Sequence, residues 1–494
     1  MPQIPFDASS ALLPPTIEPP KCVFVRGRLD LIPHPPLLRR VGELRLPGSK
    51  YYTLRYLLVS LLAEGESLIL GPAISDDTAV LVRAMRALGA TVTWEQAALN
   101  ERDDASGAGG WNLRVRGVAG KPQRPADGVL RMGNAGAVLR LLLGIGALLP
   151  HVRFDTDHPD SLGRRPNADL LAALRVLGIH TEAREPEGLL PITLHGGPPL
   201  GGVVGVSGAR SSQYLSALLY LAPLLPQGLD ISVTDDLRSA PLVRATLRAL
   251  AAGGISIISA SDLRHFAIVG NQRYHAGTYT IPGDMPSAAA LLAAASALNA
   301  SLTLANLPLA EDDARALVAA LHALGLPISE ARNPDGYTGS LTLAPDLFPN
   351  LVYTRGEESD SISPSRVGKG LGVRSIDGDG CIDSVPALAA AACLLPGETR
   401  FERVGTLRLK ESDRISDLCA ELRRAGCDVE PLPDAIIVHG RPEGIAGGVT
   451  VESHDDHRLA QALAIVALGS QQGLTISGAQ AVAKSYPGFF ADVA

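Results

Sequence analysis

The sequence predicts an α/β chain of six similar units, divided into two domains of three. Three observations carry that reading. A chain of 494 residues exceeds one ordinary hydrophobic core, so two or three domains are expected. The composition is 46% hydrophobic and only 4% aromatic, rich in Ala and Leu, which suits helices packed on sheets better than a β-sandwich. Finally, one pattern recurs six times: an Ala/Leu helix, a Gly, Pro or Asn, then a short β-branched strand. It reads "LLVSLLAEGESLIL", "LLLGIGALLPHVRF", "ALLYLAPLLPQGLDISV", "LLAAASALNASLTL", "ALAAAACLLPGETRF" and "ALAIVALGSQQGLTI". A second pattern, an amphipathic helix ending at a small residue before a strand, interleaves with it at "LVRAMRALGATVTW", "LLAALRVLGIHTE", "LVRATLRALAAGGISI", "ALVAALHALGLPIS" and "LCAELRRAGCDVE".

In chain order, "MPQIPFDASSALLPPTIEPPK" lacks a basic segment followed by an apolar core and is broken by prolines. It reads as a loose tail over residues 1–40 and not as a signal peptide. The first helix follows "LPGSK": Leu54, Leu57, Leu58, Leu61 and Leu62 recur at the spacing of one buried helix face. Near residues 340–381, "RGEESDSISPSRVGKGLG" is poor in apolar residues and interrupts the fifth unit, predicting an exposed insertion without chemistry. No apolar run has transmembrane flanks. The five cysteines show no CxxC spacing, which argues against disulfides and a zinc site and for the reduced cytosol. A net charge of −7 argues against a nucleic-acid binder, so any basic site is local.

The residues before each unit's first helix are small, polar or charged: "GSKYYTLR", "GNAGAVLR", "ARSSQYL", "PGDMPSA", "DGCIDSVP" and "HDDHRLA". Six helix N-termini facing a common cleft would form one anion trap, and Lys50 and Arg55 add formal charge to it. Cations there oppose the helix dipole, so they serve a ligand and not the helix. "TLRLKESDRISDL" reads by itself equally well as a solvated helix start. Asp455, Asp456 and His457 suggest a metal, but no second cluster at ligand spacing supports one; a helix cap by Asp455 or Asp456, with Arg458 facing a ligand, fits better.

These motifs, "LPGSK" with Arg55, "GNAG" with Arg140, "DSLGRRP", "SSQ", "GD" at Gly283 and Asp284, "KESDR", "DDHR" and "KSYPGFF", resemble in order and spacing those of the 5-enolpyruvylshikimate-3-phosphate synthase family, over roughly Glu43 to the C-terminus. The resemblance implies two domains of three βαβαββ units, an inside-out α/β barrel arrangement, with residues 41–49 plus 284–494 in one and 50–283 in the other. It implies transfer of the carboxyvinyl group of phosphoenolpyruvate to the 5-hydroxyl of shikimate 3-phosphate, on the way to chorismate and aromatic amino acids. A cytoplasmic monomer that touches neither nucleic acid nor membrane is expected.

Carried over by position, Lys50, Arg165, Gln213, Arg414, Arg458 and Lys484 resemble the phosphoenolpyruvate cradle. Gly136 borders the place where glyphosate binds in the family. Ser211, Ser212 and Ser239 resemble the shikimate-phosphate site, which Gln213, Thr406 and Lys410 also border, and Arg55 resembles the partner of the shikimate carboxylate. Asp383 matches the base for the hydroxyl, and Glu411, with Lys50 or Lys410 nearby, the group that protonates and later deprotonates the methyl carbon. No metal or other cofactor is required where arginines and helix N-termini neutralise the charge.

Three positions depart from the family pattern, all on the acceptor side: Tyr51 replaces a serine, Leu242 an aromatic residue and Thr406 an asparagine. Tyr51 either swings to solvent, the expectation for shikimate 3-phosphate, or fills part of the acceptor pocket, which would imply a smaller or differently shaped acceptor. Shikimate 3-phosphate remains the favoured acceptor, because Arg55, Ser211, Ser212 and Ser239 still offer it partners. The alternatives are a paralogous carboxyvinyltransferase for another hydroxyl and a non-catalytic anion-binding protein. UDP-N-acetylglucosamine carboxyvinyltransferase uses a reactive loop cysteine, and no cysteine lies between Cys22 and Cys381.

Overall fold

Six helices that are apolar nearly all round fix the architecture, because such helices have to be buried on every side. In the computed structural model, which describes residues 12–14, 19–26, 43–97, 110–344 and 373–493, they are Lys50–Leu62, Gly136–Gly146, Ser212–Leu221, Met285–Ala297, Val385–Leu394 and His457–Gly469. The leucine stripe of Lys50–Leu62 predicts a single buried face, yet every residue but Tyr51 is buried, since sheets and further helices cover the opposite side too. Close approach is built in. A Cβ on Gly144 would meet the Ala217 carbonyl oxygen at 2.4 Å, so only glycine lets those two helices touch.

The second pattern forms the amphipathic helices Asp76–Ala87, Ala168–Val176, Ala240–Ala252, Asp312–Ala323 and Ser416–Ala425. Five sheets have four strands, each built as a parallel pair extended by an antiparallel hairpin. In the second unit Val129–Arg131 runs parallel to His151–Asp155, which pairs antiparallel with Leu189–His195, which in turn pairs with His180–Arg184. The two-helix, four-strand unit is the predicted βαβαββ repeat.

The chain passes between the two halves twice. Glu43–Arg45 joins Leu302–Leu307, whereas Thr278–Thr280 joins Glu66–Leu70. The crossing segments are bound together by Ser49 N–H to Pro282 O at 2.7 Å and Asp284 N–H to Pro47 O at 3.1 Å. Two separate apolar cores result, one drawn from residues between Tyr52 and Ile281, the other from Val25, Leu46 and residues between Met285 and Val493.

Two sequence expectations need correction. The tail is not loose where it is described: Cys22–Val25 pairs antiparallel with Leu474–Ser477, and Trp94 Nε1 donates to Leu12 O at 3.1 Å. The physical reason is an open edge. The sixth unit has no hairpin of its own, and the β-branched strand Cys22–Val25 takes the place that an antiparallel strand holds in the other five. The predicted 340–381 insertion is too wide, since Gly339–Leu343 and Arg374–Asp377 are sheet strands and Asp379 is buried; residues 345–372 lie outside the described residues. Among the described residues, no helix is long and apolar enough to cross a membrane.

Candidate active site

Residues at or just before the first helices of several units line one cleft between the two cores. The lining includes Lys50, Tyr51, Gly136, Arg165, Ser211, Ser212, Gln213, Ser239, Asp383, Thr406, Lys410, Glu411 and Arg414, as well as Leu242.

Arg414 organises the centre. It is fully buried, and its guanidinium donates from Nε to Asp456 Oδ2 at 2.7 Å, from Nη1 to Asp383 Oδ1 at 2.6 Å and from Nη2 to Glu411 Oε2 at 2.7 Å. One planar fork thereby spaces the two candidate acid/base carboxylates. Burial works against the Asp383 anion, but Lys410, 3.2 Å away, with Arg414 and Arg458, outweighs it and holds the carboxyl well below its usual range. Burial likewise opposes Glu411, and Lys484 at 3.0 Å, Arg165 at 3.6 Å and Arg414 hold it low. Both groups are carboxylates here.

The cations converge around Glu411. Lys484 Nζ also donates to Asn134 O at 2.5 Å, and Lys50 Nζ lies 3.1 Å from Asp77 Oδ2. A Cβ at Gly136 would meet Arg165 Nη1 at 2.6 Å, so the glycine makes room for that guanidinium. Arg165 Nε is buried without a hydrogen-bond partner, an unspent donor of the kind a ligand satisfies.

On the other side, Ser211 caps its helix, accepting from Gln213 N–H at 3.3 Å, while Arg140 Nη1 donates to Ser211 Oγ at 3.3 Å and Gln213 Oε1 at 3.1 Å. Ser239 sits at φ +55°, in the left-handed region, where both Asp379 oxygens accept its N–H at 3.1 and 3.0 Å. The Thr406 hydroxyl is buried and unpartnered. Tyr51 turns inward: its hydroxyl donates to Asp383 Oδ2, and burial, ahead of the Asp383 charge, pushes the phenol well above its ordinary pKa. Of the two orientations open to Tyr51, the structure has the phenol inside the pocket.

Three predicted residues do not line the cleft. Arg55 is one layer behind, donating to Tyr51 O at 2.9 Å, Leu242 O at 2.8 Å and Thr246 Oγ1 at 2.9 Å; burial lowers its pKa. Arg458 does not face a ligand position either, since Nη1 donates to Gln461 Oε1 at 3.0 Å and Nη2 lies 3.6 Å from Asp284. Lys484 acts from behind Glu411. Asp456 caps the His457–Gly469 helix, accepting from Arg458 N–H at 2.9 Å, and also accepts from Arg414 Nε at 2.7 Å; Asp455 is exposed.

The family model for EPSP synthase (3-phosphoshikimate 1-carboxyvinyltransferase) matches residues 38–493. The chain belongs to the EPSP synthase family. A 3-phosphoshikimate 1-carboxyvinyltransferase of Deinococcus radiodurans is 40% identical over 462 residues, covering 94% of each chain. One from Burkholderia pseudomallei is 33% identical, over 92% of this chain and 91% of the other. An EPSP synthase structure from Acinetobacter baumannii superposes with a TM-score of 0.68 at 25% identity, over 91% of this chain and 94% of that one.

Sequence reasoning missed several residues of this EPSP-synthase-type cleft. Arg140 reads in the sequence only as the end of the "GNAG" motif, one turn after Gly136, and receives no ligand there. Asp77, Arg210, Arg238 and His457 also line the cleft. Asp77 carries no signal beyond that of an acid in a helix's first turn.

Proposed function

We infer that the chain transfers the carboxyvinyl group of phosphoenolpyruvate to the 5-hydroxyl of shikimate 3-phosphate in this cleft. The observation that carries the reading is Arg414, which holds Asp383 and Glu411 at 2.6 and 2.7 Å among the cations of a buried anion site. A sensor for anions needs the cations and has no use for two carboxylates between them.

Phosphoenolpyruvate brings a phosphate and a carboxylate to Arg165, Arg414 and Lys50, and Lys484 reaches them only by releasing Glu411. As those cations turn to the ligand, Glu411 loses the partners that keep it ionised, and its affinity for a proton rises. Protonated Glu411 then delivers that proton to the methylene carbon, giving an oxocarbenium-like centre at the adjacent carbon. The acceptor's 5-hydroxyl oxygen bonds to that centre while Asp383 takes its proton. Loss of a methyl proton back to Glu411 and cleavage of the carbon–oxygen bond to phosphate regenerate the double bond and release inorganic phosphate. The fixed guanidinium and ammonium groups supply the charge stabilisation.

Arg140, Ser211, Ser212, Gln213 and Ser239 are suited to the shikimate phosphate, and Thr406 offers a hydroxyl to the ring. Arg55 reaches the acceptor carboxylate only when Tyr51 and Leu242, whose carbonyls hold it, give way. Closure of the two halves, hinged at the crossings near residues 46–49 and 281–284, would exclude water from the cation. We place the enzyme in the cytoplasm as a monomer. The test is phosphate release by purified protein with shikimate 3-phosphate, unphosphorylated shikimate and UDP-N-acetylglucosamine as acceptors; turnover with the first alone is expected, and turnover with another alone overturns the acceptor.

A further inference from the structure

On the outer face of the second unit's sheet, three histidines stand in one row across three adjacent strands. His195, at the end of Leu189–His195, is the register partner of His151 on one side and of His180 on the other. Their rings lie 4.9 and 5.4 Å from that of His195. Glu182, two residues after His180 and so on the same face, brings Oε1 to 3.1 Å from His195 Nε2. None of the four lines the catalytic cleft.

We propose that His180, Glu182 and His195 form a site for a divalent transition metal of the Zn²⁺ class. Their ligand atoms all lie within 4.8 Å of one another, and among the described residues no other set of three His, Cys, Asp or Glu does so. Tetrahedral Zn²⁺ with bonds of about 2.0–2.2 Å sets its ligands roughly 3.3 Å apart. Small rotations of the exposed His180 and Glu182 side chains supply that contraction, and water takes the fourth position.

The hydrogen bonding points the same way. His195 Nε2 is buried and makes no hydrogen bond despite its closeness to Glu182, so its lone pair or proton is unsatisfied. The Nδ1 of His151 is buried and unpartnered as well, and its ring meets the His195 ring edge-on at 71°, fixing its orientation. His151 thus packs against the inner ligand ring. Two imidazoles and one carboxylate select a borderline metal over Mg²⁺ or Ca²⁺, which prefer oxygen alone. A bound ion would tie the outermost strand, His180–Arg184, to its neighbour Leu189–His195, outside the cleft lining.

The test is calorimetric titration of ZnCl₂ into the full chain after chelation and desalting, in a non-coordinating buffer. One equivalent is expected to bind with a Kd below about 10 µM. His180→Gln and His195→Gln should each weaken it at least about tenfold. His439→Gln, which alters a histidine 3.5 Å from each of Glu398 and Glu430 on another sheet, should change nothing. Should either histidine variant melt early without metal, Glu182→Gln, a change at an exposed side chain, gives the same reading. Absence of a one-equivalent site, or affinity unchanged in these variants, overturns the proposal.

Discussion

The Tyr51 hydroxyl donates a hydrogen bond to Asp383 Oδ2, joining the first helix of one half to the candidate base of the other. The phenol therefore occupies an oxygen that the acceptor's hydroxyl needs. A hydrogen bond to a charged group contributes about 1.5–3 kcal/mol, so displacing it penalises acceptor binding roughly tenfold or more. Tyr51→Ser should lower the KM for shikimate 3-phosphate about tenfold and leave kcat within about threefold. A fall in kcat of a hundredfold in steady-state assays would instead make the phenol part of the proton path.

Gly136→Ala should act through Arg165. The added methyl lies 2.6 Å from Nη1 in the present position, so the guanidinium has to shift. The expected result is a KM for phosphoenolpyruvate raised about tenfold, with weaker glyphosate inhibition and little change in the KM for shikimate 3-phosphate. Unchanged donor kinetics would remove Arg165 from the cradle.

Lys484→Ala and Arg414→Ala should part company. Removing Lys484 takes one cation from Glu411 and should reduce kcat/KM by about 10²–10³ with the fold intact. Removing Arg414 leaves Asp383, Glu411 and Asp456 buried without their common partner, a loss of about 3–5 kcal/mol. The arginine variant should show a clearly lower Tm by calorimetry; equal melting of both variants contradicts this.

Acid sensitivity follows with a definite sign. The folded-state pKa values of Asp383 and Glu411 lie below their unfolded values, so their stabilising contribution is complete above the ordinary carboxylate range, near pH 4, and is lost as pH falls below it. Lys410→Ala removes one of the cations that hold Asp383 down, so the acid limb of kcat/KM should move to higher pH. An unmoved limb would mean that Lys410 does not hold Asp383 down.

How far the sequence reached depends on the kind of physics involved. Repeats were legible because apolar periodicity is local, whereas "KESDR" and "DDHR" drew attention through charge density alone, which a solvated helix start shares. Orientation was not legible. Arg55 and Arg458 carry the right charge, yet the first turns to the Leu242 carbonyl and the second to Gln461, groups 187 and three residues away. Nor could Cys22–Val25 be read as a strand, since four residues among prolines gain order only from an edge that closes more than four hundred residues later.

That strand makes its own prediction. Deleting residues 1–26 uncovers the edge of Leu474–Ser477 and the contact of Leu12 with Trp94, and should lower the Tm by several degrees and promote association. Scanning calorimetry with light scattering decides it, and a full-length Tm in the truncated chain contradicts the role.

Protonation of the methylene carbon is the centre of the account, and one experiment reads it together with the acceptor. Purified protein, phosphoenolpyruvate and shikimate 3-phosphate are mixed in D₂O, and the product is followed by NMR. The methyl group formed in the addition holds one solvent deuteron beside two original hydrogens, so the account predicts equimolar phosphate and an enolpyruvyl product carrying deuterium in its vinyl group. Product without deuterium, or phosphate released with no shikimate adduct, would contradict it.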